Sequence, residues 1–255
     1  MIDAHAHLTD RRFAADVAEV LDRARNAGIE RVLTAAEDVV SSEQALALAA
    51  HHDDVRVAVG VHPHRAASWG PDTVDRLTEL AGDPRVVAIG EIGMDFSGRS
   101  APPDLQETAF RGQLALAALL DLPVVIHVRD AGEKVRAILG EGVEVRGMVH
   151  CYSEGPEELT AWLDLGLDIS FAGTLTYPGS DRLRAAAAGV PADRLLAETD
   201  APYLAPQNAR GRRNEPLYVA ATHAALARER GVDIGDLAAR IAQNAKMLFG
   251  ERWGT

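Results

Sequence analysis

The sequence predicts an α/β fold, a (β/α)₈ TIM barrel with an extra C-terminal helix, forming one domain over residues 1–255. Three observations carry this expectation. Short runs rich in Val, Ile and Leu alternate with longer Ala/Leu/Arg stretches of helical period, and the alternation repeats eight times. Many strand runs are apolar throughout, as expected when both faces of a parallel sheet are buried. The length, 255 residues, matches a one-domain barrel.

The first unit pairs a strand at Ile2–His7 with a helix at Arg12–Ala27. The second pairs Ile29–Ala35 with Ser41–His51, whose start is marked by Ser41 and Ser42 ahead of Glu43. Units three to five join Val55–Val61 to Asp72–Ala81, Val86–Glu91 to Asp104–Leu120, and Leu122–His127 to Ala131–Leu139. The sixth joins Val145–His150 to Pro156–Leu165, where Pro156 in the first turn followed by Glu157 and Glu158 favours a helix N-terminus. Leu167–Phe171 precedes Ser180–Ala188, Leu195–Thr199 precedes Arg213–Arg230, and Ile234–Phe249 adds the last helix. No linker, charge run or composition shift divides the chain. An open doubly wound sheet would call for a glycine-rich turn after the first strand, but that strand runs into His-Leu-Thr-Asp.

Apolar residues make up 47% and charged residues 25%, as in a packed globule. No stretch reaches 18 apolar residues free of charge, so no membrane span is expected. The first residues, MIDAHAHLTD, lack the basic and apolar regions of a secretory signal. Cys151 is the one cysteine and has no disulfide partner within the chain, which predicts a cytoplasmic protein. The net charge of −12 argues against a broad basic face, while leaving room for a small basic pocket.

Reacting groups in α/β barrels sit at the carboxyl ends of the strands. Here the predicted strands end in His5 and His7, Glu91, His127, His150 and, after Glu198-Thr199, Asp200. Side chains two apart on a strand share a face, so His5 and His7, ~6–7 Å apart along the strand, can converge on one cation. Alone, His-x-His fits a polar surface strand, and one strand-end histidine fits a hydrogen-bonded structural role. Five strands ending in His, Glu or Asp at one rim are more than packing requires. Four imidazoles and two carboxylates without a thiolate suit Zn²⁺, Mn²⁺, Fe or Co better than Ca²⁺. A catalytic zinc normally takes three protein ligands, so six point to two ions that share a carboxylate, ~3.5–4 Å apart. The residues alone thus predict a two-metal hydrolase.

The motifs DAHAHL (Asp3–Leu8), GVHPH (Gly60–His64), AIGEIGMDF (Ala88–Phe96), PVVIHVRDA (Pro123–Ala131), VHCYS (Val149–Ser153), ETDAPYLAP (Glu198–Pro206) and RNEP (Arg213–Pro216) follow in this order over nearly the whole chain. In them the sequence resembles the TatD family of metal-dependent deoxyribonucleases, within the wider amidohydrolase-type barrels. The resemblance implies that His5, His7, Glu91 and Asp200 bind one metal, and Glu91, His127 and His150 the second. Glu91 would bridge, and Asp200 would orient the attacking water and accept its proton. It implies hydrolysis of phosphodiester bonds at DNA ends by a 3′-5′ exodeoxyribonuclease, with two divalent ions, Zn²⁺, Mn²⁺ or Mg²⁺, as cofactors. A monomer is expected. Family members often carry Leu and Tyr where this chain has Met94 and Phe96, and Gly where it has Glu154.

Substrate contacts are expected from His62 and His64, which flank Pro63 after the third strand, and from Arg129, two residues beyond His127. For His64 the alternative is a solvated loop residue, and for Arg129 a salt bridge to Asp130 or another rim acid. Arg213, with Arg210 and Arg212 in the segment Ala201–Glu215, forms the best local candidate for a nucleic-acid track. Cys151 is expected to point to the opposite strand face, and His51, His52 and His223 are read as structural. Two other functions fit the same residues. One is a metal-dependent ester or amide hydrolase, such as a D-aminoacyl-tRNA deacylase. The other is a non-catalytic metal-bound scaffold, which would be expected to have lost ligands.

Overall fold

Among the residues that the computed structural model describes (1–98, 101–142, 144 and 146–254), eight strands pair in parallel in chain order. They are β1 (Ile2–Ala6), β2 (Arg31–Ala35), β3 (Val55–Val59), β4 (Val86–Asp95), β5 (Val124–Arg129), β6 (Gly147–Val149), β7 (Asp168–Phe171) and β8 (Leu195–Ala197). The helices α1 (Val17–Asn26), α2 (Val39–Ala49), α3 (Pro71–Ala81), α4 (Pro103–Leu120), α5 (Gly132–Leu139), α6 (Pro156–Asp164), α7 (Asp181–Gly189) and α8 (Val219–Arg230) follow β1 to β8 in turn, and α9 (Ile234–Phe249) is appended. No helix among the described residues is long and apolar enough to cross a membrane.

The sheet returns on itself just beyond its last strand. Asp200 N–H donates to His5 O at 3.0 Å and His7 N–H donates to Ala201 O at 2.6 Å. Beneath them the buried Asp3 carboxylate accepts from Thr199 N at 2.8 Å and from Thr199 Oγ1 at 2.6 Å. The seam between β1 and the segment after β8 therefore closes at the end where the candidate ligands lie. At the opposite end, Asn244 of α9 donates to the carbonyls of Ala192 and Leu195, both at 2.9 Å, and fixes the last helix against the start of β8. His223 is buried against Ile2 O at 3.2 Å, a structural role as expected.

Among the boundaries that differ from the sequence expectation, four bear on the elements around the site. β4 runs on to Asp95 because Gly93, at φ +137°, lets it stay beside β5. A Cβ at Gly93 would collide with the carbonyl oxygen of His127. Helix α2 starts at Val39, ahead of the Ser41-Ser42 signal, because Asp38 is the cap. Its side chain accepts from Ser41 N at 2.8 Å while Ser41 Oγ accepts from Asp38 N at 2.9 Å. The expected helix at Arg12–Ala27 begins only at Val17, after a string of turns. The expected helix at Arg213–Arg230 is replaced at its start by a short 3₁₀ turn, Pro216–Tyr218. Val145, the expected start of the sixth strand, lies outside the described residues.

Asp168 begins β7 with its side chain buried, 3.4 Å from Arg194 Nη1. Burial raises its carboxyl pKa to about 6, although Arg194 opposes the shift. A carboxyl raised by folding stabilises the fold only while protonated, so this stability is lost as pH climbs from the usual carboxylate range through about 6. Asp168→Asn removes that loss. The variant should match the wild type near pH 4 and exceed it at pH 8 by about 1–3 kcal/mol in denaturant unfolding. A difference that stays constant across this range would mean that Asp168 does not titrate there.

Candidate metal centre

On β1 the side chains of Asp3, His5 and His7 alternate with Ile2, Ala4 and Ala6, and all are buried. The two imidazoles lean together until their Nε2 atoms are 3.2 Å apart. Both Nε2 atoms lie 3.3 Å from Glu91 Oε2, and they are 3.7 Å (His5) and 3.4 Å (His7) from Asp200 Oδ1. Asp200 reaches this place from a left-handed turn, φ +57°, held by its N–H bond to His5 O.

The other oxygen of Glu91 faces a second group. Glu91 Oε1 lies 2.7 Å from His127 Nδ1, 2.8 Å from His150 Nε2 and 3.3 Å from His62 Nε2. His127 Nδ1 and His150 Nε2 are themselves 3.3 Å apart. One carboxylate, 1% exposed, thus stands between two clusters of imidazole nitrogen. Ligand-type atoms from His5, His7 and Asp200, from His5, Glu91 and His150, and from His62, Glu91 and His127 each gather within 4.8 Å of one another.

The donor set fits divalent cations on electrostatic grounds. Glu91 Oε2 is buried without a hydrogen-bond donor, as are the far nitrogens Nδ1 of His5 and His7. An unpartnered buried carboxylate oxygen is costly unless positive charge faces it. Burial would raise the Glu91 carboxyl, but His150, His62 and His5 outweigh it and hold the group well below the usual range. Burial would lower His7, but Asp200 and Glu91 overcome it and raise the imidazole to about 9. His150 is likewise held well above its usual value against burial, by Glu91 and Glu198. Burial wins at His62, which falls to about 4. The cluster therefore demands positive charge, which protons on His7 and His150 or bound cations can supply. Nitrogen and oxygen donors without sulfur suit Zn²⁺ and Mn²⁺.

Two groups around the cluster had no assigned role in the sequence reading, and a third takes a place not anticipated there. Glu198 Oε1 lies 3.2 Å from His150 Nδ1 and fixes that ring from behind. Asp95 Oδ2 lies 2.9 Å from His64 Nε2 and 3.4 Å from His127 Nε2. The third is the inward place of His62, expected only as a substrate contact. A signal existed for the two acids: Asp95 follows Glu91 and Gly93 at every second residue of one strand, and Glu198 lies two residues before Asp200 just past another. His62 gave none, because only the fold reveals that its loop turns in.

A cavity of about 830 Å³ opens over these residues, lined by His64, Arg129, Glu154, Arg182, Tyr203 and Leu204 among others. His64 is exposed at the mouth, and Asp95 Oδ2 fixes its ring at 2.9 Å. Arg129 is exposed at the end of β5 and its side chain makes no ion pair or hydrogen bond among the described residues, so the alternative of a salt bridge to Asp130 or another rim acid is not seen there. Arg213 departs from expectation. It is turned away into a bidentate pair with Asp16, both contacts at 2.7 Å, and a 2.8 Å bond to Glu215, which clamp its loop against α1. Cys151 also departs. β6 ends at Val149 and the chain turns left-handed at Cys151, φ +46°, so this residue lines the cavity instead of facing away. Glu154 binds Arg136 Nη1 at 2.9 Å and takes the Trp162 indole N–H at 2.5 Å, staying at the wall.

The sequence matches the TatD related DNase family over residues 2–250. It is 40% identical over 258 residues to the 3′-5′ ssDNA/RNA exonuclease TatD of Pantoea ananatis, covering 98% of this chain and 99% of that one. It is 35% identical over 251 residues to a Bacillus subtilis protein described as the metal-dependent hydrolase YabD, covering 98% of each chain. The crystal structure of YJJV, a TatD homologue from Escherichia coli, matches with a TM-score of 0.90 at 29% identity over 98% of this chain and 97% of that one. With the strand-end histidines and carboxylates gathered around Glu91, these likenesses lead to one conclusion: the chain belongs to the TatD-related DNase family.

Proposed function

We propose that the chain is a two-metal exonuclease that trims single-stranded DNA or RNA from the 3′ end. The observation that carries this reading is Glu91, whose two oxygens face separate imidazole groups from the interior of the barrel. His5, His7, Asp200 and Glu91 would hold one cation, and Glu91, His127 and His150 would hold the other, with His62 nearby. When bound, the two cations polarise the phosphodiester and offset the charge that builds on its oxygens. The rest falls to side chains. Asp200 is kept ionised by His7 despite its burial, and takes the proton of the attacking water. Arg129, unpaired at the rim, binds a phosphate oxygen pair. His64, oriented by Asp95, donates to the same group. The ester or amide alternative is not favoured, since relatives at about 40% identity carry nuclease names. A lone cysteine fits a reducing compartment, and we assign the reaction to the cytoplasm.

Metal-stripped protein reloaded with Mn²⁺ or Zn²⁺ should take up two ions per chain and release mononucleotides from a 5′-labelled oligonucleotide. Glu91→Gln should weaken both ions, whereas His150→Ala should leave one tightly held. Elemental analysis after desalting distinguishes these outcomes, and a Glu91→Gln protein that keeps two ions would remove the bridging role. Asp200→Asn should lower turnover by about 10²–10⁴-fold, the range for a proton acceptor, with little change in melting temperature. Full activity in that variant would exclude Asp200 from the proton transfer. Arg129→Ala should raise KM for the oligonucleotide about tenfold, as expected for a charge-assisted contact, and leave KM for an uncharged ester unaltered. Equal rises on both substrates would make Arg129 structural.

A further inference from the structure

Tyr203 is fixed in place at the cavity mouth yet is 39% exposed, an unusual combination for a large ring. Its hydroxyl donates to Asp10 Oδ2 at 3.1 Å. The guanidinium of Arg12 covers one ring face, 4.1 Å from the centroid. Arg12 is in turn pinned by Asp10, with Nε 2.9 Å from Oδ1 and Nη2 2.8 Å from Oδ2. His7 meets Tyr203 with the two rings at 82° and their centroids 5.8 Å apart. Among the described residues no further ring or cation partners Tyr203.

An aromatic ring that served only to anchor its loop would gain most by burying both faces. This ring instead has one backed face and stands directly beside a candidate metal ligand. Its rotamer freedom is already spent on Asp10 and Arg12, so a flat apolar ligand could stack on it at little further entropic cost. Nucleobases all present such a face, and stacking on a fixed aromatic ring is tolerant of base identity. A base inside a duplex has both faces occupied by its neighbours, so a platform of this kind accepts unpaired strands.

We propose that Tyr203, backed by Arg12 and fixed by Asp10, is the stacking platform for the nucleobase next to the scissile phosphate. The proposal rests on the nuclease reading of the site and adds the residue that makes it select single strands.

The test compares a 5′-fluorescein hexathymidylate with the same strand lacking its last two bases, each with a phosphorothioate at the 3′-terminal linkage to block cutting. Anisotropy titration of the metal-loaded wild type should give a Kd about tenfold lower for the strand that keeps its bases, the scale of one stacked base. Tyr203→Ala should erase that difference, and Tyr203→Phe, which keeps the ring, should preserve it. A wild type blind to the missing bases would overturn the platform, as would a Tyr203→Ala variant weakened equally on both strands. Turnover of the unmodified strand reports separately on the nuclease reading. Cutting without base-dependent binding retains the nuclease and rejects the platform; base-dependent binding without cutting does the reverse.

Discussion

The seam between the first strand and the segment after the eighth is the constraint on which the rest depends. It is made by few bonds: Asp200 N–H to His5 O, His7 N–H to Ala201 O, and the two contacts of Thr199 with the Asp3 carboxylate. Without them the sheet is an open ribbon whose ends lie far apart. With them the first residues of the chain and those near position 200 share one rim, and His5, His7 and Asp200 meet. The bond that closes the barrel is also a backbone bond of the candidate ligand Asp200, so assembling the fold and assembling the site are one event. Asp3 can carry this role because it is fully buried where Thr199 supplies both a backbone and a hydroxyl donor, which limits the cost of placing a carboxyl in the core.

Glu91 imposes the second constraint. It places a buried carboxylate among imidazoles that must neutralise it. The supporting geometry is backbone geometry. A Cβ at Gly90 would lie 2.6 Å from that of Val125, and Gly93 needs both its positive φ and its missing side chain to pass His127. These close approaches bring β4 against β5 and set Glu91 within 2.7 Å of His127. Glu198 behind His150 and Asp95 beside His127 and His64 then restrict how those rings turn. Protons and cations compete for the same nitrogens, so metal affinity should fall as pH drops through the range of the raised imidazoles.

A net charge of −12 sits uneasily with a nucleic-acid substrate until the charges are placed. Much of the acidic excess lies away from the mouth, and part of it is the ligand set itself. The arginines divide by partner. Arg213 is consumed by Asp16 and Glu215, Arg12 by Asp10, and Arg182 by Glu157, whereas Arg129 makes no ion pair among the described residues. Ion pairs that exposed contribute little to stability, but they decide which guanidinium groups are free to meet a phosphate. Local charge at the mouth, and not the total, governs what binds there.

Much of this was legible in the order of residues. Eight apolar runs separated by helical periods specify a parallel barrel, because strand and helix periodicities are local properties of the chain. The polar residue that closes each run marks the rim, so His5, His7, Glu91, His127, His150 and Asp200 could be named together before any coordinates. His5, His7, His127 and His150 each lie within 3.3 Å of an oxygen of Glu91, and Asp200 lies beside His5 and His7. The remainder depended on contacts between residues far apart in the chain. Arg213 and Arg129 look equivalent in the sequence, yet one is neutralised by Asp16, nearly two hundred positions away, and the other is not. His62 turned inward and Cys151 turned into the cavity because of how loops close, and Tyr203 was fixed by Asp10 across the same seam. Sequence determines which atoms sit at the ends of the strands, through periodicity; only the closed barrel decides which of them meet, because pairing across a seam is set by three-dimensional packing and has no local signature.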